Sequence, residues 1–270
     1  MPELPEVETI ARDLAFALEG QKVRKMRLLD PVIREKGDYQ SPNILERKRL
    51  LGIERRGKNL IFHFSGNIAM VCHLMMTGRM ILDSEHGLKK RYLRFFIEFE
   101  RSRLDYFDVR KFGRISFLKE ENVKNHPRLK KLGREPFSIN SEQFARIVKK
   151  RSKAIKLILL DQEIICGLGN IYADESLFDA GIRPTLRPDR ISVSRLKHLH
   201  KSIKKILRKA IRKRGSSVDD YIDGFGRAGR FQNMLSVYGR TGKACKKCQT
   251  LIKRMVLGGR STHFCPKCQK

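Results

Sequence analysis

The chain opens on Met1-Pro2-Glu3, a pair of side chains behind the initiator that could act on a carbon electrophile. Trimming of Met1, which the small second residue permits, leaves the secondary amine of Pro2 at the terminus with a carboxylate beside it. An α-amine titrates near roughly 7.7–8, so an unprotonated fraction exists at neutral pH. Attack by a secondary amine on a sugar C1′ gives an iminium that is positive without needing a proton, an electron sink for later eliminations. Glu3 stands where it could supply or remove the proton. The plainer reading is a helix start, with Pro5 at the first helical position and Glu6 and Glu8 complementing the dipole. That reading accounts for Pro5 but not for a Pro-Glu pair at the terminus itself.

The second chemical signature is Cys245-x-x-Cys248, sixteen residues, then Cys265-x-x-Cys268. This is the spacing of a four-thiolate zinc site, and four cysteines make a closed tetrahedron with no position left for catalysis. The zinc expected here is structural, contributing on the order of 10–16 kcal/mol to so short a segment. His263 is a possible substitute ligand that four cysteines make unnecessary. Between the pairs, Gly258-Gly259-Arg260 reads as a hairpin tip whose glycines let backbone approach a ligand while Arg260 clamps a phosphate. Cys72 and Cys166 read as buried spare thiols.

Three further stretches carry weaker signals. Asp161-Gln162 precedes Gly167-Leu168-Gly169-Asn170-Ile171-Tyr172-Ala173-Asp174-Glu175, a glycine-bracketed turn entering a helix at Asn170, which aims N–H groups and an amide at an anion; a simple Asn N-cap fits equally well. In Asp108-Val109-Arg110-Lys111-Phe112-Gly113-Arg114, Phe107 and Val109 facing the core would put Asp108, Arg110 and Phe112 on the outer face. An outward aromatic there suits a wedge between bases, although a Phe packed under the turn is the commoner arrangement. His73-Leu74-Met75-Met76-Thr77-Gly78 puts a Met at a strand end, where core packing is again the ordinary explanation.

The elements that must position these residues fall into two halves. With 270 residues the chain can build two domains. Val7, Ile10, Ala11, Leu14 and Leu18 give one apolar helical face from Pro5 to about Glu19, closed by Gly20. Strand patterns then dominate to about residue 118: 58–64 and 68–74 joined by a Ser65-Gly66-Asn67 turn, 93–99 with alternating burial, and 104–108. This half reads as a β-sandwich carrying the terminal helix. Periodicity fades from 121 to 140, which reads as a linker. Ser141 can cap a helix burying Phe144, Ile147 and Val148, and another helix starts at Ala154. From Leu196 to Ile211, Leu196, Leu199, Ile203, Leu207 and Ala210 form a stripe. The other faces of that helix hold Lys197, Lys201, Lys204, Lys205, Arg208, Lys209, Arg212 and Lys213 with no acid among them, which favours phosphate contact over an ordinary solvated face.

Lys and Arg number 59 against 29 Asp and Glu, a net +30 with a pI near 10.3. Such an excess implies a polyanionic partner, nucleic acid rather than membrane. No apolar run approaches a membrane span, and the acidic N-terminus is not a signal peptide. Reduced cysteines in metal spacing fit the cytosol.

Taken in order, Pro2-Glu3-Leu4-Pro5-Glu6-Val7-Glu8-Thr9, Arg56-Gly57-Lys58, His73-Leu74-x-Met76, Arg110-x-Phe112-Gly113, Gly167-x-Gly169-Asn170-Ile171-Tyr172 and Gly259-Arg260-x-Thr262-x-x-Cys265-x-x-Cys268 resemble the bacterial formamidopyrimidine-DNA glycosylase family along essentially the whole chain. The resemblance implies an α+β fold. Its parts are an N-terminal catalytic β-sandwich domain at 2–120, a linker at 121–140, a helix–two-turns–helix domain at 141–225, and a lesion-loop end with a β-hairpin zinc finger at 226–270. It implies a bifunctional glycosylase and AP lyase for oxidised purines, 8-oxoguanine and formamidopyrimidines, in base excision repair. Pro2 would attack C1′ and Glu3 would protonate the sugar ring oxygen. Lys58 and Arg260 complete the implied catalytic set, gripping phosphates with His73, Asn170 and Tyr238. Met76, Arg110 and Phe112 would fill the vacated stack, Arg110 facing the orphan cytosine, and Lys156 is a further implied DNA contact. The implied cofactor is one structural zinc on Cys245, Cys248, Cys265 and Cys268. The implied partner is duplex DNA with an oxidised purine opposite cytosine, bound by a cytoplasmic monomer away from membranes.

The stretch Gly215–Phe231 corresponds to the family's lesion-recognition loop but reads Gly215-Ser-Ser-Val218-Asp-Asp-Tyr221 and Gly226-Arg227-Ala228-Gly229. Members usually carry Thr or Ser-Thr near the start and Gly-x-Pro-Gly later, so the sequence leaves open how 8-oxoguanine rather than a ring-opened purine is held. An endonuclease-VIII-like enzyme for oxidised pyrimidines is the alternative within the superfamily, and Leu4 argues against it. A non-catalytic nucleic-acid-binding zinc protein explains the charge and the cysteines but not the terminal Pro-Glu.

Overall fold

The computed structural model describes residues 1–84, 90–218 and 221–270, so Asp219 and Asp220 of the 215–231 stretch lie outside the described residues. Helix α1 (Leu4–Leu18) begins one residue ahead of Pro5, because Glu3 takes the capping position and its N–H donates to the Glu6 carboxylate at 2.9 Å. Its apolar stripe is buried and Gly20, at φ +83°, closes it, the left-handed turn that favours glycine there.

Among the described residues of the first half, eight strands form two four-stranded antiparallel sheets. One is ordered β1 (Val23–Leu28), β6 (Leu93–Phe99), β7 (Arg103–Phe107), β5 (Arg79–Leu82). The other is ordered β2 (Leu50–Arg56), β3 (Asn59–Phe64), β4 (Ile68–His73), β8 (Arg114–Lys119). The expected 65–67 turn joins β3 to β4, with Phe64 opposite Ile68 and both Gly66 and Asn67 at positive φ. Met26, Phe95, Ile97 and Tyr106 from one sheet and Leu60, Phe62, Met70, Cys72, Ile115 and Phe117 from the other share one core with Val7, Ile10 and Leu14 of α1. Burying each large apolar side chain stabilises the sandwich by about 1.5–3 kcal/mol before conformational entropy is subtracted. The alternation in β6 has one exception. Arg94 is buried, and its Nε donates to the Asp108 carbonyl at 2.8 Å.

Where periodicity fades, the chain forms a 3₁₀ turn at Glu120–Asn125 and the single-turn α2 (Pro127–Lys130). The cap of α3 (Ser141–Lys149) is Asn140, not Ser141. Asn140 and Gln143 exchange side-chain to backbone hydrogen bonds in a capping box, while the Ser141 hydroxyl meets His200 Nδ1 at 3.1 Å. Phe144 and Val148 are buried and Ile147 only partly. Then come α4 (Ile155–Leu160), α5 (Asn170–Asp179), α6 (Val193–Arg212) and a hairpin of β9 (Lys253–Leu257) and β10 (Arg260–Phe264). The α6 stripe is buried as its spacing requires. Two of its lysines are matched by acids on other helices: Lys197 lies 2.8 Å from Glu142 and Lys205 lies 2.7 Å from Asp179. Among the described residues no helix is long and apolar enough to cross a membrane.

Two compact units account for the chain, Met1–Lys130 with Lys213–Arg230, and Lys131–Arg212 with Phe231–Lys270.

Candidate active site and nucleic-acid contacts

In the first unit, the start of α1 is held by its own third residue. Met1 is exposed and Pro2 buried behind it. Glu3 and Glu6 are 3 % and 2 % exposed. One Glu6 oxygen takes the Glu3 N–H and the other takes the Ser216 N–H at 2.8 Å. The Pro-Glu pair therefore sits on a fixed helix start rather than on a fraying terminus.

Lys58 lies in the tight turn between β2 and β3, behind Gly57 at φ +61°. Arg55 ties this turn to α1, donating to Glu8 at 2.8 Å and to the Gly57 carbonyl at 3.0 Å. Asn59, next in the chain, pairs with His73, and His73 pairs with Arg114. One end of this sheet therefore gathers Lys58, His73 and Arg114. Burial, reinforced by the Arg128 and Lys58 charges, holds the His73 imidazole down to about 4, so the ring is neutral near pH 7. Its Nδ1 accepts the Met75 N–H at 2.9 Å, which puts the ring proton on Nε2 as a donor.

The Asp108–Gly113 stretch differs from its expected alternation. Val109 is exposed and Asp108 fully buried, because Asp108 is the hub of a turn and not an outward strand residue. Its carboxylate accepts the Thr77 hydroxyl, the Arg110 N–H at 3.2 Å and the Gly113 N–H at 2.8 Å. A Cβ on Gly78 or Gly113 would collide with the buried Tyr106 hydroxyl, so both turns close directly over that ring. The ordinary explanations for Phe112 and Met76 fail, since they are 41 % and 46 % exposed. The Arg110 guanidinium bridges them, 4.5 Å from the Phe112 ring centroid and 3.3 Å from Met76 Sδ. The structure brings these three together at the tips of two turns that the Thr77–Asp108 bond ties to each other.

In the second unit, Lys156 departs from the expected outward DNA contact. It is fully buried, and Nζ reaches Asp174 at 2.6 Å, the Ser261 carbonyl at 2.8 Å and the Thr262 hydroxyl at 2.9 Å. The Ser261 and Thr262 oxygens accept hydrogen bonds from the ammonium, and the Asp174 carboxylate pairs with its charge. Lys156 braces β10, the strand that begins with Arg260. Asp174 also accepts the His263 N–H at 2.8 Å, and the His263 ring Nδ1 lies 3.3 Å from the same carboxylate. Its neighbour Glu175 collects the N–H groups of Ser236, Val237 and Tyr238 at 2.8–3.0 Å. That cradle fixes the backbone at Tyr238, whose ring sits edge-on to His263 with centroids 5.0 Å apart. Asn170 is the first residue of α5, and Gly169 takes the capping position. The Asn170 amide donates to the Ser261 carbonyl at 2.9 Å. Arg260 is exposed at the hairpin tip behind Gly258 and Gly259, both at positive φ. Sequence reasoning quoted Asp174 and Glu175 without seeing their role. The available signal was two adjacent acids inside a segment otherwise patterned for burial.

The four cysteine sulfurs lie within 4.8 Å of one another, Cys245 and Cys268 at 3.9 Å and Cys248 and Cys265 at 3.5 Å. Zn–S bonds of about 2.3 Å in a tetrahedron require S–S edges of about 3.8 Å. The set fits a zinc ion, which these four residues would hold.

Comparison with known proteins matches the whole arrangement. Residues 1–115 match the formamidopyrimidine-DNA glycosylase N-terminal domain, 132–221 the formamidopyrimidine-DNA glycosylase H2TH domain, and 242–270 the zinc finger found in FPG and IleRS. The formamidopyrimidine-DNA glycosylase of Solibacter usitatus is 42 % identical, with 100 % of each chain covered. The Lactococcus lactis Fpg in complex with an abasic site containing DNA is 37 % identical, covers 99 % of both chains and superposes with a TM-score of 0.91. A mutant of that protein bound to a Fapy-dG containing DNA is 37 % identical over 100 % of both chains, with a TM-score of 0.92. Three matched domains in the order of the motifs, with full-length relatives on either side, place the chain in the formamidopyrimidine-DNA glycosylase family.

Proposed function

We propose that this chain is a bifunctional DNA glycosylase and AP lyase that excises oxidised purines from duplex DNA in base excision repair. The observation that carries the reading is the buried Pro2-Glu3 pair on a helix start that Glu6 holds still, in a chain of net charge +30. Once Met1 is removed, the Pro2 nitrogen attacks C1′ of the damaged nucleotide. The C1′–N bond to the enzyme forms as the glycosidic bond breaks, and the base leaves with the bond's electron pair. Glu3 protonates the ring oxygen, the sugar opens, and the iminium draws off the C2′ proton's electron pair so that the C3′–O bond breaks. A second elimination, with loss of the C4′ proton, breaks the C5′–O bond as the phosphate leaves, and water hydrolyses the remaining iminium, freeing Pro2 and leaving a one-nucleotide gap.

Unstacking the target costs a few kcal/mol. Met76, Arg110 and Phe112, grouped on their two turns, suit the vacated stack, with Arg110 able to donate to the edge of the orphan cytosine. Neutral His73, Lys58, Arg260, Asn170 and Tyr238 supply phosphate donors. Lys156 contributes by bracing the Arg260 strand. One zinc on the four cysteines is structural, since its coordination is closed. A single asymmetric duplex site suits a monomer, and reduced thiolates suit a cytoplasmic compartment.

Borohydride trapping tests the reading. The mature protein should form a covalent complex with abasic or 8-oxoguanine duplex, and a few residues added ahead of Pro2 should abolish trapping while DNA binding persists. A purified protein that keeps Met1 and still cuts damaged strands overturns it. Excision of 8-oxoguanine opposite cytosine compared with thymine glycol decides between the purine and pyrimidine branches.

A further inference from the structure

The segment 213–230 leaves the last turn of α6 and packs with the first unit. Its ends meet where the Arg230 N–H donates to the Lys213 carbonyl at 2.8 Å, and the Gly229 N–H reaches the Ser217 hydroxyl at 2.9 Å. Two points pin it to α1. At the start of the helix, Glu6 takes the Ser216 N–H, and the Tyr221 hydroxyl reaches the Glu6 carbonyl at 3.4 Å.

The second point, two turns along α1, is a cluster of charges. Arg214 lies between Asp13 of α1 and Asp223, its Nε 2.6 Å from Asp223 Oδ2 and its Nη2 shared by both carboxylates. Asp13 also accepts the Gly224 N–H at 3.1 Å. Asp223 is fully buried, and its Oδ1 takes the N–H groups of Phe225 and Arg227, each at 2.9 Å. The Arg227 guanidinium closes over it at 3.2 Å and stacks 4.8 Å from the Phe225 ring. Two buried acids and two arginines therefore set the backbone of 223–227. The same loop shares the Glu6 carboxylate with Glu3, beside the nitrogen proposed to attack C1′.

We propose that Asp13, Arg214, Asp223 and Arg227 are a charge clamp that pre-sets this loop, the counterpart of the family's lesion-recognition loop, against the start of α1, and that these four side chains are positioning residues for acceptance of the everted base. The inference rests on the glycosylase and lyase reading and deepens it. A base leaving C1′ lies next to the attacking nitrogen, and the backbone pinned beside that nitrogen is this loop. An abasic site has no base to accept, so the clamp matters for one substrate and not for the other.

The test uses the zinc-loaded full chain and Asp13→Asn and Asp223→Asn, which keep shape and one acceptor but remove the charge. Single-turnover excision of 8-oxoguanine is measured beside incision and borohydride trapping at a preformed abasic site. Misplacement of the loop by an ångström or so lowers base excision about ten- to a hundred-fold, while abasic incision stays within about two-fold. The ratio is the readout, because a loss of folded protein lowers both reactions equally. Proportional loss of both, or unchanged base excision, overturns the clamp. Should neither variant fold, Arg227→Ala, which removes the outer and largely exposed arm, decides alone: a few-fold loss confined to base excision supports the clamp and any other pattern overturns it. An unaltered chain that neither traps nor incises abasic DNA would instead remove the glycosylase and lyase reading itself.

Discussion

Lys156→Met separates a brace from a phosphate contact. In the structure the ammonium is fully buried against Asp174, itself fully buried. Replacing it with a thioether of similar length leaves the Asp174 carboxylate without its cation, facing the His263 N–H and the His263 ring Nδ1. Breaking one side of a buried pair costs about 3–5 kcal/mol, which for a unit of this size lowers Tm by roughly 10–20 °C. Adding Asp174→Asn removes the stranded charge yet keeps an acceptor for His263, and is expected to restore at least about half of the loss. Calorimetry of the zinc-loaded protein reads the stability. The slope of log Kd against log salt on an abasic duplex, measured well below the transition, reads the phosphate contacts. Each phosphate contact contributes about 0.9 to that slope, so a brace leaves it unchanged and a direct contact lowers it by about one. Unchanged Tm together with a slope reduced by about one would refute the brace and return Lys156 to the DNA surface.

Thr77→Val removes the hydroxyl that ties the Met76 turn to Asp108 and to the Arg110 N–H; stability should fall by about 1–2 kcal/mol, and base eversion followed with 2-aminopurine should slow, with an unchanged eversion rate counting against coupled turns. Removing zinc with a chelator should abolish duplex binding and loosen the 242–270 segment, both restored by zinc; full binding by metal-free protein would contradict the closed four-cysteine site. His73 has a folded pKa near 4, below its unfolded value. The unfolded chain thus takes up the proton first, and stability falls as pH drops from about 6.5 toward 4. His73→Gln removes that component, so urea midpoints of variant and parent should converge or cross as pH is lowered; a parent that gains on the variant in acid would reverse the sign.

The sandwich was legible because its strands alternate or run apolar over lengths that admit little else, and because Gly20, Gly66 and Asn67 mark their turns. The zinc site was legible from spacing alone. What the sequence hid are contacts between residues far apart along it. Asp108 looked like an outward strand residue because its partner Thr77 lies thirty-one positions away. Lys156 looked like one more surface lysine because nothing near it in sequence announces Asp174 or Ser261. The α6 lysines looked unopposed because Glu142 and Asp179 belong to other helices. In the 215–231 stretch, Ala228 stands at the proline position of the Gly-x-Pro-Gly turn that the family resemblance implies. The structure shows the same turn held by Asp223 instead, a substitution of charge for ring that no local pattern reveals.

One regularity joins these hidden contacts. A carboxylate near a surface that meets phosphates works against binding, and this chain holds only 29 acids against 59 bases. Five acids that fix segments near the proposed contacts are inside: Glu6, Asp108, Asp174, Glu175 and Asp223 are each 2 % exposed or less. Each accepts backbone N–H groups of a segment that carries a proposed contact or forms the loop beside it. Hydrogen bonds to a charged acceptor contribute about 1.5–3 kcal/mol apiece, enough to fix a turn, and burial keeps the negative charge away from the DNA. Neutralising any of these five raises the net positive charge, and by long-range attraction alone it should improve binding. Because each one fixes the backbone of such a segment rather than repelling a phosphate, the local loss is expected to outweigh the gain. Position, not the sum of charges, then governs whether this basic protein grips a damaged nucleotide or merely coats the duplex.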